Sequence, residues 1–343
     1  MSRESKATLR QYAVLGFFTL GIGSIGGCRD NSPAPAGAFK QPEAGPAASA
    51  STAAAAVVDA AAAPEPFVPR FPTAVWANWP MPNSPTAGLP NQQSFDTRVA
   101  GVVVDQVTGL IWQREVANKF LTFDEAGREC DQSKLAGYED WRLPSRLELE
   151  SIADTTRNQP SIDPNTFPNT PIDWFWTSSV AADNPHSAWY VYFYFGYPKT
   201  DDKHNRFSVR CVRDSVKREA PKQHYEIQGA TVRDLGTGLT WQRAVPDRKF
   251  PFGEAQNYCK QLNLGGKKGW RMPTLQELLT LIDERATTVP LIDQAAFPNT
   301  PSEQFWTSTI FASSPVTSWY VFFNRGDGLY GMNVEKYRAR CVI

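Results

Sequence analysis

The sequence predicts an α+β fold written twice: two tandem domains of about 120 residues, each with two helices packed on a mostly antiparallel sheet. Three observations predict it. The first is a strand-to-helix hinge, Trp141-Arg142-Leu143-Pro144-Ser145, which returns as Trp270-Arg271-Met272-Pro273-Thr274. The second is the constant spacing of the motifs around it. Thr108-Gly109-Leu110 and Thr237-Gly238-Leu239 lie 129 residues apart, as do Cys130 and Cys259. Phe175-Trp176-Thr177-Ser178, Trp189-Tyr190-Val191 and Arg210-Cys211-Val212 each recur 130 residues later. The third is the order of elements, in which two helical stretches separate runs of alternating strands.

Each element has a local justification. Val102 to Asp105 and Leu110 to Gln113 flank a Thr-Gly turn and predict a β-hairpin. A helix follows from Thr122 to Leu135, with Thr122 and Glu125 at capping-box spacing. The hinge reads as a short strand that stops at proline and becomes a second helix. Ser145 and Thr274 stand at its N-cap, and Glu148 and Glu277 follow three residues later. Leu149, Ile152 and Ala153, and in the second copy Leu278, Leu281 and Ile282, recur at helical spacing. A proline-rich loop leads to a strand at Phe175 to Thr177. A strand from Trp189 to Phe195, a turn and a last strand from Phe207 to Val212 complete the unit.

The N-terminus reads as an export signal. Arg3, Lys6 and Arg10 precede an apolar run from Tyr12 to Ile25. The following Gly26-Gly27-Cys28 resembles a bacterial lipobox, in which the cysteine is lipidated and becomes the mature N-terminus. An ordinary signal peptide with a nearby cysteine is the rival reading, and the small residues directly against Cys28 favour the lipobox. Arg29 in place of Asp after that cysteine leans toward outer-membrane sorting. The expected organisation is a signal peptide at 1–28, an Ala/Pro-rich tether at 29–66, a first domain at 67–214, a linker at 215–224 and a second domain at 225–343. The first domain includes a proline-rich extension whose Trp76 and Trp79 are expected to pack on it.

Composition excludes some functions. Lys plus Arg and Asp plus Glu both number 35, so the formal charge is zero. Nothing marks a nucleic-acid partner or an anionic lipid surface. The membrane is expected to be met only through the N-terminal lipid. Hydrophobic residues at 41% and eleven Trp supply ample core. With Cys28 assigned to lipidation, four cysteines remain, two per unit. Only Cys130 with Cys211 and Cys259 with Cys341 keep each bridge inside its own domain. Each closes a loop of about 80 residues. A metal site is the rival for these cysteines, but the second unit lacks histidine partners.

The cysteine-bearing helix, the Trp-Arg-[Leu/Met]-Pro hinge, the Phe-Trp-Thr-Ser and Trp-Tyr-Val strands and the closing Arg-Cys-Val together resemble the C-type lectin-like fold. More narrowly, they look like the bacterial Lcl C-terminal-domain family, named for a collagen-like adhesin. The resemblance covers about Trp79 to Ile343, twice over. It implies a disulfide from first helix to last strand, and extracellular ligand binding without naming a ligand. The Glu-Pro-Asn or Gln-Pro-Asp loop and Trp-Asn-Asp strand of calcium-dependent sugar-binding lectins are missing from this sequence. Phe167-Pro168-Asn169 and Phe297-Pro298-Asn299 read instead as structural turns.

The duplicated Trp residues read as core, and Arg142, Arg271, Arg210 and Arg340 as makers of internal ion pairs or bonds to loop carbonyls. Ligand recognition is expected where the copies differ. In the first unit the candidates are Asp183, Asn184 and His186, then Tyr197, Lys199, Asp201, Asp202, His204 and Asn205. In the second they are Arg325, Asp327 and Tyr330, of which Arg325-Gly326-Asp327 spells an integrin-type tripeptide. A solvated hairpin turn competes with a ligand role for the run from Tyr197 to Arg206. No cofactor is expected, except that Asp201, Asp202 and Asn205 offer oxygen ligands for calcium. No histidine sits in a Ser-His or Cys-His setting, and no thiol is left for the copper-dependent chemistry of the formylglycine-generating branch of this fold. The expectation is a non-catalytic envelope lipoprotein that binds a polysaccharide or a surface protein. A structural subunit of an envelope assembly is the alternative.

Overall fold

A computed structural model of the chain describes residues 67, 76–215 and 223–343. The signal segment with Cys28, the tether and most of the expected linker lie outside the described residues. The first copy opens with β1 (Phe95–Asp96), β2 (Val102–Asp105) and β3 (Leu110–Gln113). Helix α1 (Phe123–Asp131) and helix α2 (Arg146–Ser151) come next. Strands β4 (Trp174–Val180), β5 (Ser187–Tyr192) and β6 (Tyr197–Asp202) form one antiparallel sheet, and β7 (Val212–Asp214) joins β3 in the other. The second copy repeats this, except for a closing strand, with β8 (Tyr225–Gln228), β9 (Thr231–Asp234), β10 (Thr240–Gln242), α3 (Phe252–Gln261), α4 (Leu275–Leu279), β11 (Gln304–Ile310), β12 (Thr317–Phe322) and β13 (Asp327–Met332); its Val342 meets Trp241 and Arg271 by single bridges. Each copy is thus α+β, with two helices beside antiparallel sheets.

Local chemistry sets these elements. At the β2–β3 turn, the Asp105 carboxylate accepts the N–H groups of Val107 at 2.9 Å and Thr108 at 3.2 Å. Asp234 does the same for Gly236 and Thr237. Thr122, Ser145 and Thr274 all form complete capping boxes with the glutamate three residues on. The hinge glutamates have a second task. Arg142 binds Glu148 with two bonds of 2.7 Å, and Arg271 binds Glu277 in the same way. The arginine three residues before the N-cap therefore locks the carboxylate that caps the helix, which fixes the angle between hinge and helix.

The segments differ from expectation in four places. Helix α1 stops at Asp131, four residues short of Leu135, and a 3-10 turn follows at Leu135–Gly137 with Ala136 in the left-handed region at φ 54°. This turn places the Leu135 carbonyl to accept the Trp141 indole at 3.1 Å. The hinge itself is an extended segment that meets its neighbour by one bridge, Arg142 to Val212, instead of a ladder. The closing segment is likewise no regular strand until Val212. It runs between the two sheets and touches Leu121, Phe175 and Arg142 in turn, so no single neighbour can offer it a continuous ladder. Finally, Tyr197 to Asp202 is a strand and not part of a turn. Its polar composition and Pro198 are tolerated because β6 is an edge strand.

Two apolar clusters fill each copy. One surrounds each disulfide, with Trp141 and Trp176 or Trp270 and Trp306 against it. The other lies under the second helix. All eight duplicated Trp residues are buried to 3% exposure or less. Arg210 is fully buried and donates to the carbonyls of Gln113 and Arg114 and to the Thr170 hydroxyl; Arg340 repeats the set on Gln242, Arg243 and Thr300. The N-terminal extension is a strap across both copies. Ala77, Trp79 and Met81 enter the first core, as expected. Trp76 does not: it stacks at 4.1 Å on His224, the last residue of the expected linker, and lies under Arg285 of the second copy at 4.5 Å.

The bridges are Cys130–Cys211 and Cys259–Cys341, with sequence separations of 81 and 82. Chain entropy assigns each about 4 kcal/mol. Replacing both members of either pair by alanine should cost up to that amount in urea unfolding, and reductant should then have less effect on the variant than on the parent.

Candidate functional site

The two copies meet through equivalent elements. Helix α2 faces α4, and β6 faces β13, so the relation is a local pseudo-two-fold. Tyr197 lies beside Trp319 at 5.9 Å between ring centres, and Phe195 beside Phe311 at 5.5 Å. Polar bonds also cross the junction in both directions, from donors one position apart in the repeat to equivalent carbonyls. Arg146 at the start of α2 reaches the Ile282 carbonyl at 3.4 Å, and Gln276 at the start of α4 reaches the matching Ala153 carbonyl at 3.3 Å.

Arg146 breaks the symmetry. It is fully buried and donates to Glu150 of its own helix at 2.8 Å and to Glu284 of the other copy at 2.7 Å. The second copy has Leu275 and Leu279 where the first has Arg146 and Glu150. Burial raises the Glu150 pKa to about 7, against the opposing pull of Arg146, and one of its oxygens has no hydrogen-bond partner among the described residues.

Two clefts flank this junction, and the pseudo-two-fold relates them. In the larger, the end of β11 meets the hinge exit of the first copy, Thr155 and Thr156, and the strap closes a third side. Its volume is about 490 Å³. The polar lining is all neutral: Ser84, Thr86, Thr155, Thr156, Thr274, Ser308 and Thr309 hydroxyls and the Gln276 amide. Leu89, Ile310, Phe311 and Pro315 make an apolar wall. The hydroxyls are held in place by one another and by the backbone. Ser84 pairs with Thr156 at 3.0 Å, and Thr309 accepts the Leu275 N–H at 3.0 Å. In the smaller cleft, of about 250 Å³, the end of β4 meets the hinge exit of the second copy.

The residues expected to bind ligand are dispersed. Asp183 and Arg325 come together as lining of the smaller cleft. Asn184 is a turn former, accepting the His186 N–H at 3.1 Å and donating to Ser187, while His186 itself is exposed. Tyr197 belongs to the junction, and burial pushes its hydroxyl up to about 12. Lys199 is exposed on β6, paired with Tyr190. Asp201 accepts from Asn205 at 2.9 Å, and Asp202 accepts from the backbone and ring of His204, each at 2.8 Å. Those bonds to His204 lower the Asp202 pKa. The end of β6 and the turn after it are therefore closed on themselves. Among the described residues no three His, Cys, Asp or Glu side chains group in a way that suits a metal ion.

The integrin-type reading of Arg325-Gly326-Asp327 fails on geometry. Asp327 is 1% exposed, with Arg325 folded back to 3.0 Å from its carboxylate, and burial raises its pKa. Gly326 sits tightly between Trp189 and Ile282. Tyr330 lies on Phe311 at 4.1 Å, half exposed at the edge of the junction. The residues that line the larger cleft were not among the sequence candidates, because they are small hydroxyls from four separate segments. One signal was present: Arg146 and Glu150 are charged where the copy is leucine, at positions the helical period places on a buried face.

Comparison with protein-family models matches the Lcl C-terminal domain twice, over residues 101–213 and 230–343. No curated protein matches the chain.

The Glu150 pKa gives a pH dependence with a definite sign. Its folded pKa, about 7, lies above the ordinary value of 4.5. Between those values the folded state holds a proton that the unfolded state has released, so stability falls as pH rises from about 4.5 to about 7 and is level above. Glu150→Gln should remove that slope from urea midpoints measured across pH 4 to 8, relative to the parent chain.

Proposed function

The chain belongs to the Lcl C-terminal domain family, with two copies of that domain, and from this premise we propose that it is a non-catalytic binding protein of the bacterial envelope. In this reading both copies are C-type lectin-like domains. Export and a lipid on Cys28 hold the protein at the outer membrane, and residues 29–66 act as its tether. The ligand is a segment of polysaccharide seated in the larger cleft between the copies.

One observation carries the reading: the neutral, hydroxyl-rich lining of a 490 Å³ groove with an apolar wall. A sugar presents hydroxyls around a ring with weakly polar faces. It is matched by side chains that both donate and accept, fixed beside an apolar surface. The lining holds no carboxylate, histidine, lysine or thiol, so its chemistry is that of recognition and not of proton transfer. The groove needs both copies and the strap, which gives the duplication a function beyond avidity.

A second reading, a subunit docked in an envelope assembly, is favoured by one feature. Val316, Met332 and Val334 are exposed side by side in the second copy, at 66%, 55% and 76%. The first copy has His186, Asp202 and His204 at the same places.

Calorimetry of the full chain against a panel of neutral oligosaccharides tests the first reading. Binding should be lost in Ala312→Trp, which fills the groove from an exposed position, with the melting temperature unchanged. Binding that persists in that variant would rule the groove out. Silence across the panel, with a crosslinked envelope protein lost on Val334→Asp, would favour the docked subunit.

A further inference from the structure

At the start of the edge strand of the central sheet, the two copies present opposite surfaces. In the second copy, where β11 begins, the surface is an ion network. Glu303 bonds Arg338 at 2.7 Å and Lys249 at 3.3 Å, and Arg338 also reaches Asp247 at 3.1 Å. In the first copy, where β4 begins, the same four positions are Asp173, Ser208, Phe120 and Asn118. Both cations are gone, and an aromatic ring stands in place of the lysine. Asp173 keeps its carboxylate, which accepts the Trp174 N–H at 2.7 Å and has no ion-pair partner among the described residues.

The rings around Asp173 are left in solvent. The eight duplicated Trp residues and Trp79 are core, and Trp76 anchors the strap. Trp174 has neither duty: it is 40% exposed, and the second copy has Gln304 in its place. Phe120 is exposed as well, at 47%. Large exposed aromatics that replace a solvated ion network in a twin domain mark a contact surface. This surface is also continuous with the groove. Cross-strand pairing puts Tyr192 beside Trp174, with ring centres 5.4 Å apart and planes 30° from parallel, and Tyr194 follows at 5.7 Å and 31°. Ring contacts then run from Tyr194 to Phe195 at 4.3 Å and from Phe195 to Phe311 at 5.5 Å, and Phe311 belongs to the apolar wall of the groove. The second copy breaks this ladder with Gln304 and Asn324 in place of Trp174 and Tyr194.

We propose that Trp174 is a stacking subsite for a further unit of the polysaccharide, beyond the groove, with Asp173 accepting that unit's hydroxyls. The inference deepens the polysaccharide reading and rests on it. It names the sugar: a neutral strand of β-1,4-linked hexoses whose hydroxyls are equatorial. The axial C–H bonds of such a ring make a flat apolar face that an indole can cover, while the hydroxyls at its rim donate to a carboxylate beside the indole. A compact organic cation is the other ligand that aromatic rings and a carboxylate select. It is enclosed by rings on several sides. Here the rings lie in one ladder with Trp174 at its end, which offers a face and not an enclosure. The strand would leave the groove at Phe311 and follow the ladder to Trp174.

The test is calorimetry of the full chain with cellohexaose, and with tetramethylammonium as competitor. Cellohexaose should bind the parent chain, and tetramethylammonium should not displace it. Trp174→Gln, which installs the residue of the second copy, should weaken cellohexaose by about tenfold. Phe120→Lys restores the cation of the twin and should weaken it also, because the lysine engages Asp173. Both positions are exposed, so circular dichroism should show an unchanged fold. No binding of cellohexaose, displacement by tetramethylammonium, or an affinity unchanged in Trp174→Gln would each overturn the proposal. The groove is tested apart by Ala312→Trp. Binding lost in Ala312→Trp and unchanged in Trp174→Gln would keep the groove and sink the subsite. Binding weakened in Trp174→Gln and unchanged in Ala312→Trp would keep the subsite and sink the groove.

Discussion

The buried guanidinium of Arg146 is the interaction on which the arrangement depends. It joins Glu150 of its own helix to Glu284 of the other copy and reaches the carbonyls of Leu279 and Ile282 as well. A buried ion pair is weak grounds for stability in itself, since desolvation offsets most of the attraction. What it supplies is definition of geometry. A leucine pair at these positions, as the second copy has, could slide, whereas a planar fork with carboxylates on two sides and carbonyls beyond admits one placement. The helices α2 and α4, and with them the strands β6 and β13, are held in that register.

From the register follow the clefts. Each is made where the end of a central-sheet strand in one copy meets the hinge exit of the other, so neither exists in a single domain. The fixed hinge matters here, because the Arg-Glu bond that caps each second helix also aims the chain toward the junction. The strap then removes the equivalence. It covers one side of the pseudo-two-fold only, adds Ser84 and Thr86 to the groove and anchors beside the second copy, with Trp76 between His224 and Arg285. A duplicated unit thus yields two clefts that share an architecture and differ in charge.

Much of the fold was legible in the sequence, and for a physical reason. The capping boxes at Thr122, Ser145 and Thr274, the Asx-type hairpin turns and the disulfide pairing are local or are written twice. The Trp residues repeat at core positions in both copies. What was not legible is long-range. Tyr197 to Asp202 looked like a loop because an edge strand needs apolar residues on neither face throughout and tolerates Pro198. Glu284 lies 138 residues from Arg146, and nothing local to either announces the pair. The groove is built from serine and threonine, the residues least distinctive in a sequence. The charged candidates at the end of β6 were more conspicuous, but they satisfy one another. Differences between the copies did mark the junction and its clefts, at the hinge and its exit more than in the polar loops.

The most direct test of a junction locked by Arg146 is urea unfolding of the oxidised full chain, followed by tryptophan fluorescence and far-ultraviolet circular dichroism. A locked junction unfolds in one transition, coincident by both probes. In Arg146→Ala, which leaves two buried carboxylates without their partner, it should separate into two, with a loss of about 3–5 kcal/mol from the junction. Two separate transitions in the parent chain, or an Arg146→Ala variant that unfolds as the parent does, would contradict it.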